Sequence, residues 1–248
     1  MSKSKVLRPF RYSGNKARHL GYIQLPSATR LVEVCLGSGS VSVNLGSDYE
    51  CIGSDVDERV VKLWHWLQSV TEDELRDLNG RFQSLKTHAH KPDIRNYKWN
   101  NEGEMLYVKL NTCGAYVGQW SSWSVYPQHR LPIKKTIAAL PRMKEITVLH
   151  RSFMDYDYRP GDVVFFDPEY VGTSANYSKK AREKTPRMIR DFLDKNKHTP
   201  IVFTYGTDAP VLFPELNWQV GMERKVPRLR GGGTLDRTEY VCYINIGG

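Results

Sequence analysis

The chain has 248 residues, with 36 Lys and Arg against 27 Asp and Glu for a formal net charge of +9; 40% of residues are hydrophobic and 25% charged. That length fits one large domain or a domain with a small insertion, and that composition excludes wholesale disorder. No apolar run approaches the roughly 18 residues a membrane-spanning helix needs, and Met1-Ser2-Lys3-Ser4-Lys5 lacks the apolar core of a signal peptide. A cytoplasmic protein is the expectation.

The positive charge suits a polyanionic partner, since basic side chains displace counterions from phosphates, but a merely soluble basic protein satisfies it equally. Cys35, Cys51, Cys113 and Cys242 form no C-x-x-C pair, and no His cluster has metal-ligand spacing, so no metal site is expected. Cys35, Cys51 and Cys242 lie in apolar runs and read as buried thiols.

Leu31–Cys35 is an apolar run ended by Gly37-Ser38-Gly39 and followed by a helical Val41–Leu45; Glu50–Asp55 and Val60–Val70 repeat the pattern. Thr147–Leu149, Asp162–Phe166, Ile201–Tyr205 and Glu239–Asn245 are further strands, with an amphipathic helix over Met188–Leu193. This alternation predicts an α/β fold with a doubly wound, mostly parallel, Rossmann-like sheet. Residues 72–137 lack the rhythm and are rich in Trp, Tyr, Asn, Lys and Arg. They read as an inserted region between two parts of one domain, 1–71 and 138–248. Trp99, Tyr107, Tyr116, Trp120, Trp123 and Tyr126 alternate there with Lys98, Lys109, Arg130, Lys134 and Lys135.

Three elements can carry chemistry. Gly37-x-Gly39 after a strand lets a ligand approach the backbone at the strand's carboxyl end, although a plain turn has the same sequence. Asp55, ending the next strand, can accept hydrogen bonds from both hydroxyls of a ribose; the full G-x-G-x-x-G is absent, which argues against NAD. In Val163–Tyr170 an apolar strand delivers Asp167-Pro168-Glu169-Tyr170, where a carboxylate, a carbonyl and a ring can hold a planar base bearing an amine. A helix N-cap Asp followed by Pro is the plainer alternative. Tyr12-Ser13-Gly14-Asn15-Lys16 puts Tyr12 and Lys16 four apart, sharing a face if a helix starts there. Lys16 can then neutralise a ligand carboxylate, or the segment is simply an exposed basic turn.

In this order the elements resemble the Dam-like DNA adenine-N6 methyltransferases of bacteria and phages, over nearly the whole chain. The family's F-x-G-x-G corresponds to Cys35-Leu36-Gly37-Ser38-Gly39, its N-D-I to Ser54-Asp55-Val56, and its D-P-P-Y to Asp167-Pro168-Glu169-Tyr170. Asn111-Thr112-Cys113-Gly114 through Trp123-Ser124-Val125-Tyr126-Pro127 resembles its DNA-reading hairpin.

The resemblance implies an S-adenosylmethionine cofactor held by Tyr12, Lys16, Gly37, Gly39, Asp55, Phe153 and Asp155. It implies double-stranded DNA as partner, contacted by Asn111, Tyr116, Gln119, Trp123, Arg130, Lys134 and Lys135. It also implies Asp167, Pro168 and Tyr170 as catalytic residues acting on a flipped adenine. Two departures stand out. Cys35 replaces Phe, and Glu169 replaces the second Pro of the active motif. The second opens an alternative: a catalytically weak or silent DNA-binding relative, or transfer of a modified group.

Overall fold

The computed structural model describes residues 6–12, 14–88, 93–112, 129–169, 179–227 and 234–246. Among them are seven strands, β1 (Arg30–Val34), β2 (Glu50–Asp55), β3 (Thr147–His150), β4 (Asp162–Phe166), β5 (Ile201–Tyr205), β6 (Trp218–Pro227) and β7 (Thr234–Ile244). They form one sheet in the order β3-β2-β1-β4-β5-β7-β6. β1 pairs in parallel with β2 and β4, β2 with β3, and β4 with β5, while β7 runs antiparallel to both β5 and β6. The doubly wound, mostly parallel α/β sheet expected from the sequence is the observed fold. The strand order reverses beside β1, where the chain crosses back to β4, and in doubly wound folds ligands bind at the carboxyl ends of the strands at such a switch point.

Strand parity divides the core. Leu31, Val163, Phe165 and Val202 face one side, with helices α1 (Ser40–Leu45), α2 (Glu58–Ser69), α3 (Glu72–His88), α4 (Glu102–Thr112) and α5 (Ile133–Met143). Val32, Val34, Val164, Phe166 and Phe203 face the other, against α6 (Lys179–Lys195) and the short α7 (Ala209–Leu212). Both faces of β4 and β5 are covered, which is why these strands read as continuous apolar runs. On the second side Phe166 stacks on Phe203 at 5.2 Å and meets Phe192 at 4.5 Å. Each such pair adds about 0.5–1.5 kcal/mol to simple burial.

The stretch 72–137 departs from its polar appearance. Leu75, Leu78 and Phe82 of α3 and Leu106, Tyr107, Val108 and Leu110 of α4 are buried in the same core as Leu63 and Trp64 of α2. Helix α4 approaches α2 closely enough that a Cβ at Gly103 would lie 2.2 Å from the Trp66 ring. Tyr107 and Lys109, two of the aromatic and basic residues that make this stretch read as a polar insertion, are both buried, the Tyr107 hydroxyl 2.6 Å from Thr136 Oγ1. The 3.6-residue period of an 11-residue helix, flanked on two sides, explains both corrections.

Candidate active site

The site is assembled on the glycine turn that leaves β1. Cys35, Gly37 and Gly39 have φ of 60°, 48° and 60°. Glycine adopts this conformation freely, whereas Cys35 does so at a cost on the order of 1–2 kcal/mol. The turn is clamped from three directions. The Gly37 N–H donates to Asp55 Oδ2 at 2.9 Å, the Trp64 indole N–H donates to the Gly37 carbonyl at 2.8 Å, and the Leu36 N–H donates to the Ser54 carbonyl at 2.9 Å. Below it, Glu33 accepts from the Val41 and Ser42 N–H groups at 3.4 and 2.7 Å, tying the first turn of α1 to β1. Burial pushes the Glu33 carboxyl up to about 7, against the lowering effect of those same donors.

Cys35 is only half-buried, so the expectation of three buried thiols holds for Cys51 and Cys242 alone. Its place at the strand's end, beyond the last paired residue of β1, explains the difference. Desolvation and then the carboxylates of Asp55, Asp167 and Glu169 push its thiol well above the usual range, keeping it neutral.

The Tyr12–Lys16 element lies across this turn. A helical turn begins only at Lys16, so Tyr12 and Lys16 do not share a helix face as expected. Instead each meets a different part of the site. The Tyr12 ring covers Gly37, where a Cβ would come within 2.7 Å of it, and Asn15 Nδ2 donates to Ser38 Oγ at 2.8 Å. Lys16 Nζ forms an ion pair with Asp167 Oδ2 at 2.6 Å. The reason is topological: Phe166 is in register with Val34, so Asp167 follows β4 beside Cys35, and the segment covering the turn reaches it. The Lys16 ammonium, expected to meet a ligand carboxylate, therefore meets a carboxylate of the protein.

Asp167 is further held by Thr204 Oγ1, which donates to its Oδ1 at 2.8 Å from the neighbouring β5. Pro168 is buried, and Glu169 is exposed just beyond the end of β4. Partial desolvation, then Asp55 and Asp57, raise the Glu169 carboxyl above its ordinary range. Asp55 accepts from both Gly37 and Asp57 N–H groups, each at 2.9 Å and one on each oxygen, with the Val56 N–H acting on it as well; a carboxylate with about four acceptor sites keeps capacity beyond these three. Phe153 and Asp155 follow β3 in a short turn capped by Ser152. Phe153 packs 4.9 Å from Phe166, and Asp155 is exposed.

Of the expected partner-binding residues, Asn111 is buried with its amide spent on the scaffold, accepting from the Arg11 N–H at 2.9 Å and donating to the Tyr107 carbonyl at 2.8 Å. Its place inside α4 leaves it no reach to a partner. Arg130, Lys134 and Lys135 are exposed, the two lysines in the first turn of α5. Tyr116, Gln119, Trp123 and the catalytic candidate Tyr170 lie outside the described residues.

Sequence reasoning missed four residues here. Glu33 and Thr204 were detectable as lone polar residues in apolar strands, RLVEV and IVFTY. His19 and Glu239 carry no such signal, because they meet only through the antiparallel return of β7. Glu239 Oε2 lies 3.7 Å from Lys16 Nζ and 3.4 Å from His19 Nε2, and Glu239 Oε1 lies 3.4 Å from Arg224 Nη2. Burial, then Lys16 and Arg224, push the His19 imidazole down to about 4, so it is neutral near pH 7.

No family model matches the chain. A solved structure with some likeness is the C-terminal domain of precorrin-6Y C5,15-methyltransferase from Rhodobacter capsulatus. It is 12% identical, with a TM-score of 0.40, and the alignment covers 95% of this chain and 96% of that chain. Among the described residues no cluster of His, Cys, Asp and Glu is suited to a metal ion, and no helix is long and apolar enough to cross a membrane.

Proposed function

We propose that this chain transfers a methyl group from S-adenosylmethionine to the N6 amine of an adenine flipped out of double-stranded DNA. The observation that carries the reading is the meeting of Lys16, Asp167 and Thr204 beside the glycine turn, at the switch point where doubly wound folds bind ligands. Three separate sequence elements converge there, in the manner the resemblance implies.

The residues fit the cofactor. Asp55 keeps acceptor capacity for ribose hydroxyls, the Phe153 ring and the exposed Asp155 suit an adenine edge, and the carboxylates of Asp55, Asp57 and Glu169 favour a cationic ligand beside them. Bound S-adenosylmethionine supplies a methyl group already activated by its sulfonium. The protein's contribution is positioning and electrostatics. Asp167 and the Pro168 carbonyl accept hydrogen bonds from the amine, turning its lone pair toward the methyl donor. Pro168 lacks an N–H and fixes its own φ, which stiffens the chain where it leaves the strand. Thr204 fixes the rotamer of Asp167.

DNA as the partner is supported by charge placement. The first turn of α5 carries Lys134 and Lys135 and no acid, an arrangement that opposes the helix dipole and gains nothing for the fold. Thr136 in the same turn donates to the Pro9 carbonyl at 2.5 Å, tying these lysines to the segment that leads to Tyr12.

A second reading, a catalytically silent DNA-binding relative, is favoured by one observation: the Asp167 carboxylate is already paired with the Lys16 ammonium. Transfer of radiolabelled methyl to unmodified duplex DNA, with Asp167→Ala alongside, separates the two. Label in adenine that disappears in the variant supports the enzyme. Absence of label with DNA and cofactor binding intact supports the silent binder.

A further inference from the structure

The oxygens of Glu239 are unequally satisfied. Oε1 faces Arg224, whereas Oε2 is buried and has no hydrogen-bond partner, as do both ring nitrogens of His19. The residue itself is 8% exposed. A buried oxygen left in that state has lost its water without gaining a partner, so it has strong reason to gain a donor. Two donors lie within reach: His19 Nε2 at 3.4 Å, which as a neutral ring offers at most one uncharged N–H, and the Lys16 ammonium at 3.7 Å, the charged one, which is held by Asp167 Oδ2 at 2.6 Å and the Gly14 carbonyl at 3.1 Å. A charge-assisted hydrogen bond closes at about 2.7–2.9 Å, so a movement of about 1 Å brings the ammonium onto Glu239. Lysine, a compact charge with three donors on a flexible stem, makes such a movement without disturbing the backbone.

The consequence lies at Asp167. In the present arrangement the Lys16 ammonium neutralises the carboxylate that the proposed reaction needs as an acceptor for the incoming amine. We propose that Glu239 is a positioning residue: it draws Lys16 off Asp167 when an amine enters the site, and returns it when the site empties. Lys16 thus shields Asp167 at rest and releases it under substrate. Neutral His19 lines the path and adds no competing positive charge. The inference rests on the reading of Asp167 as the acceptor of a substrate amine.

Two measurements on the full-length protein test it. In steady-state methyl transfer to duplex DNA, Glu239→Gln lowers kcat about tenfold, the scale of one lost charge-assisted contact. The KM for DNA and the Kd for S-adenosylmethionine hold. In a Lys16→Met background the same substitution costs nothing further, because no ammonium remains to be moved. An equal loss in both backgrounds, or no loss in either, overturns the proposal, as does a rise in KM with kcat unchanged.

The second measurement needs neither turnover nor a variant. The ¹⁵N resonance of the Lys16 ammonium is followed in the wild-type protein as deoxyadenosine, and separately deoxyinosine, is added. A shift with deoxyadenosine, which bears the amine, and none with deoxyinosine, which does not, supports the movement. Equal responses to the two, or none, overturn it. A wild-type protein that binds DNA and cofactor but transfers no methyl fails the proposed reaction, and the Lys16 resonance still decides the movement on its own.

Discussion

Lys16 Nζ and Asp167 Oδ2 are 2.6 Å apart, although 151 positions separate the two residues in the chain and neither lies in a strand. The contact joins the N-terminal segment, the glycine turn and the end of β4 into one site, and the behaviour of Asp167 follows from it. On the opposite oxygen, Thr204 Oγ1 is the donor that holds the carboxylate in place. Thr204→Val keeps the shape and removes the donor. Methyl transfer should fall about 10–100-fold, the range for one hydrogen bond to a charged group, with cofactor binding unaltered. Single-turnover rates with saturating DNA measure this, and a rate within twofold of wild type would refute it.

Glu33 and His19 give stability two opposing pH slopes. The folded-state pKa of Glu33 is near 7, above its ordinary 4.5, so folding favours its protonated form. Its stabilising contribution is present below about pH 4.5 and is lost as pH rises to about 7, up to a scale on the order of 3 kcal/mol. His19 is depressed from 6.5 to about 4, so its contribution is full above pH 6.5 and is lost as pH falls toward 4. Between pH 4.5 and 6.5 the two partly cancel in the wild-type protein. Urea unfolding of Glu33→Gln should therefore show stability falling steadily below pH 6.5, and His19→Gln should show it falling above pH 4.5. Parallel pH curves for wild type and both variants would contradict the assignment.

Two glycines with opposite surroundings offer a stability comparison. A Cβ at Gly39, at φ +60°, would lie 2.4 Å from the Trp64 ring, whereas a Cβ at Gly80, exposed within α3, would meet nothing within 4 Å. Gly39→Ala should destabilise the fold by on the order of 2–3 kcal/mol, through both backbone strain and displacement of Trp64. Gly80→Ala should stabilise it by about 0.5–1 kcal/mol through helix propensity. Thermal melting of the two variants provides the comparison.

The lysines at the start of α5 make the DNA reading measurable. If Lys134 and Lys135 contact phosphates, changing both to Ala should reduce the slope of log affinity against log salt by about 2 and weaken binding to all duplexes alike. Unchanged salt dependence would place the DNA contact elsewhere.

The linear pattern of residues determined the strands, and with them the sheet: LVEVC, DVVFF and IVFTY are short runs rich in apolar and β-branched residues, and ECIGSD repeats the strand-then-carboxylate pattern, each bounded by turn or polar residues. It also located Gly37, Gly39, Asp55 and Asp167 at strand ends, because the side chain that ends an apolar run at a turn is where a parallel sheet presents chemistry. Residues 72–137 were less legible. Their average polarity conceals the buried stripes of α3 and α4, which become visible only once α2 is there to receive them.

What the tertiary structure alone decided is which charges meet. Lys16 reaches Asp167 because the reversal of strand order sets β4 beside β1, and Glu239 reaches Lys16 because β7 returns antiparallel along β5. Such contacts depend on distances across the sheet, which carry no local signal along the chain. The sequence therefore specifies where a site can form, and packing specifies the state in which its carboxylate is held.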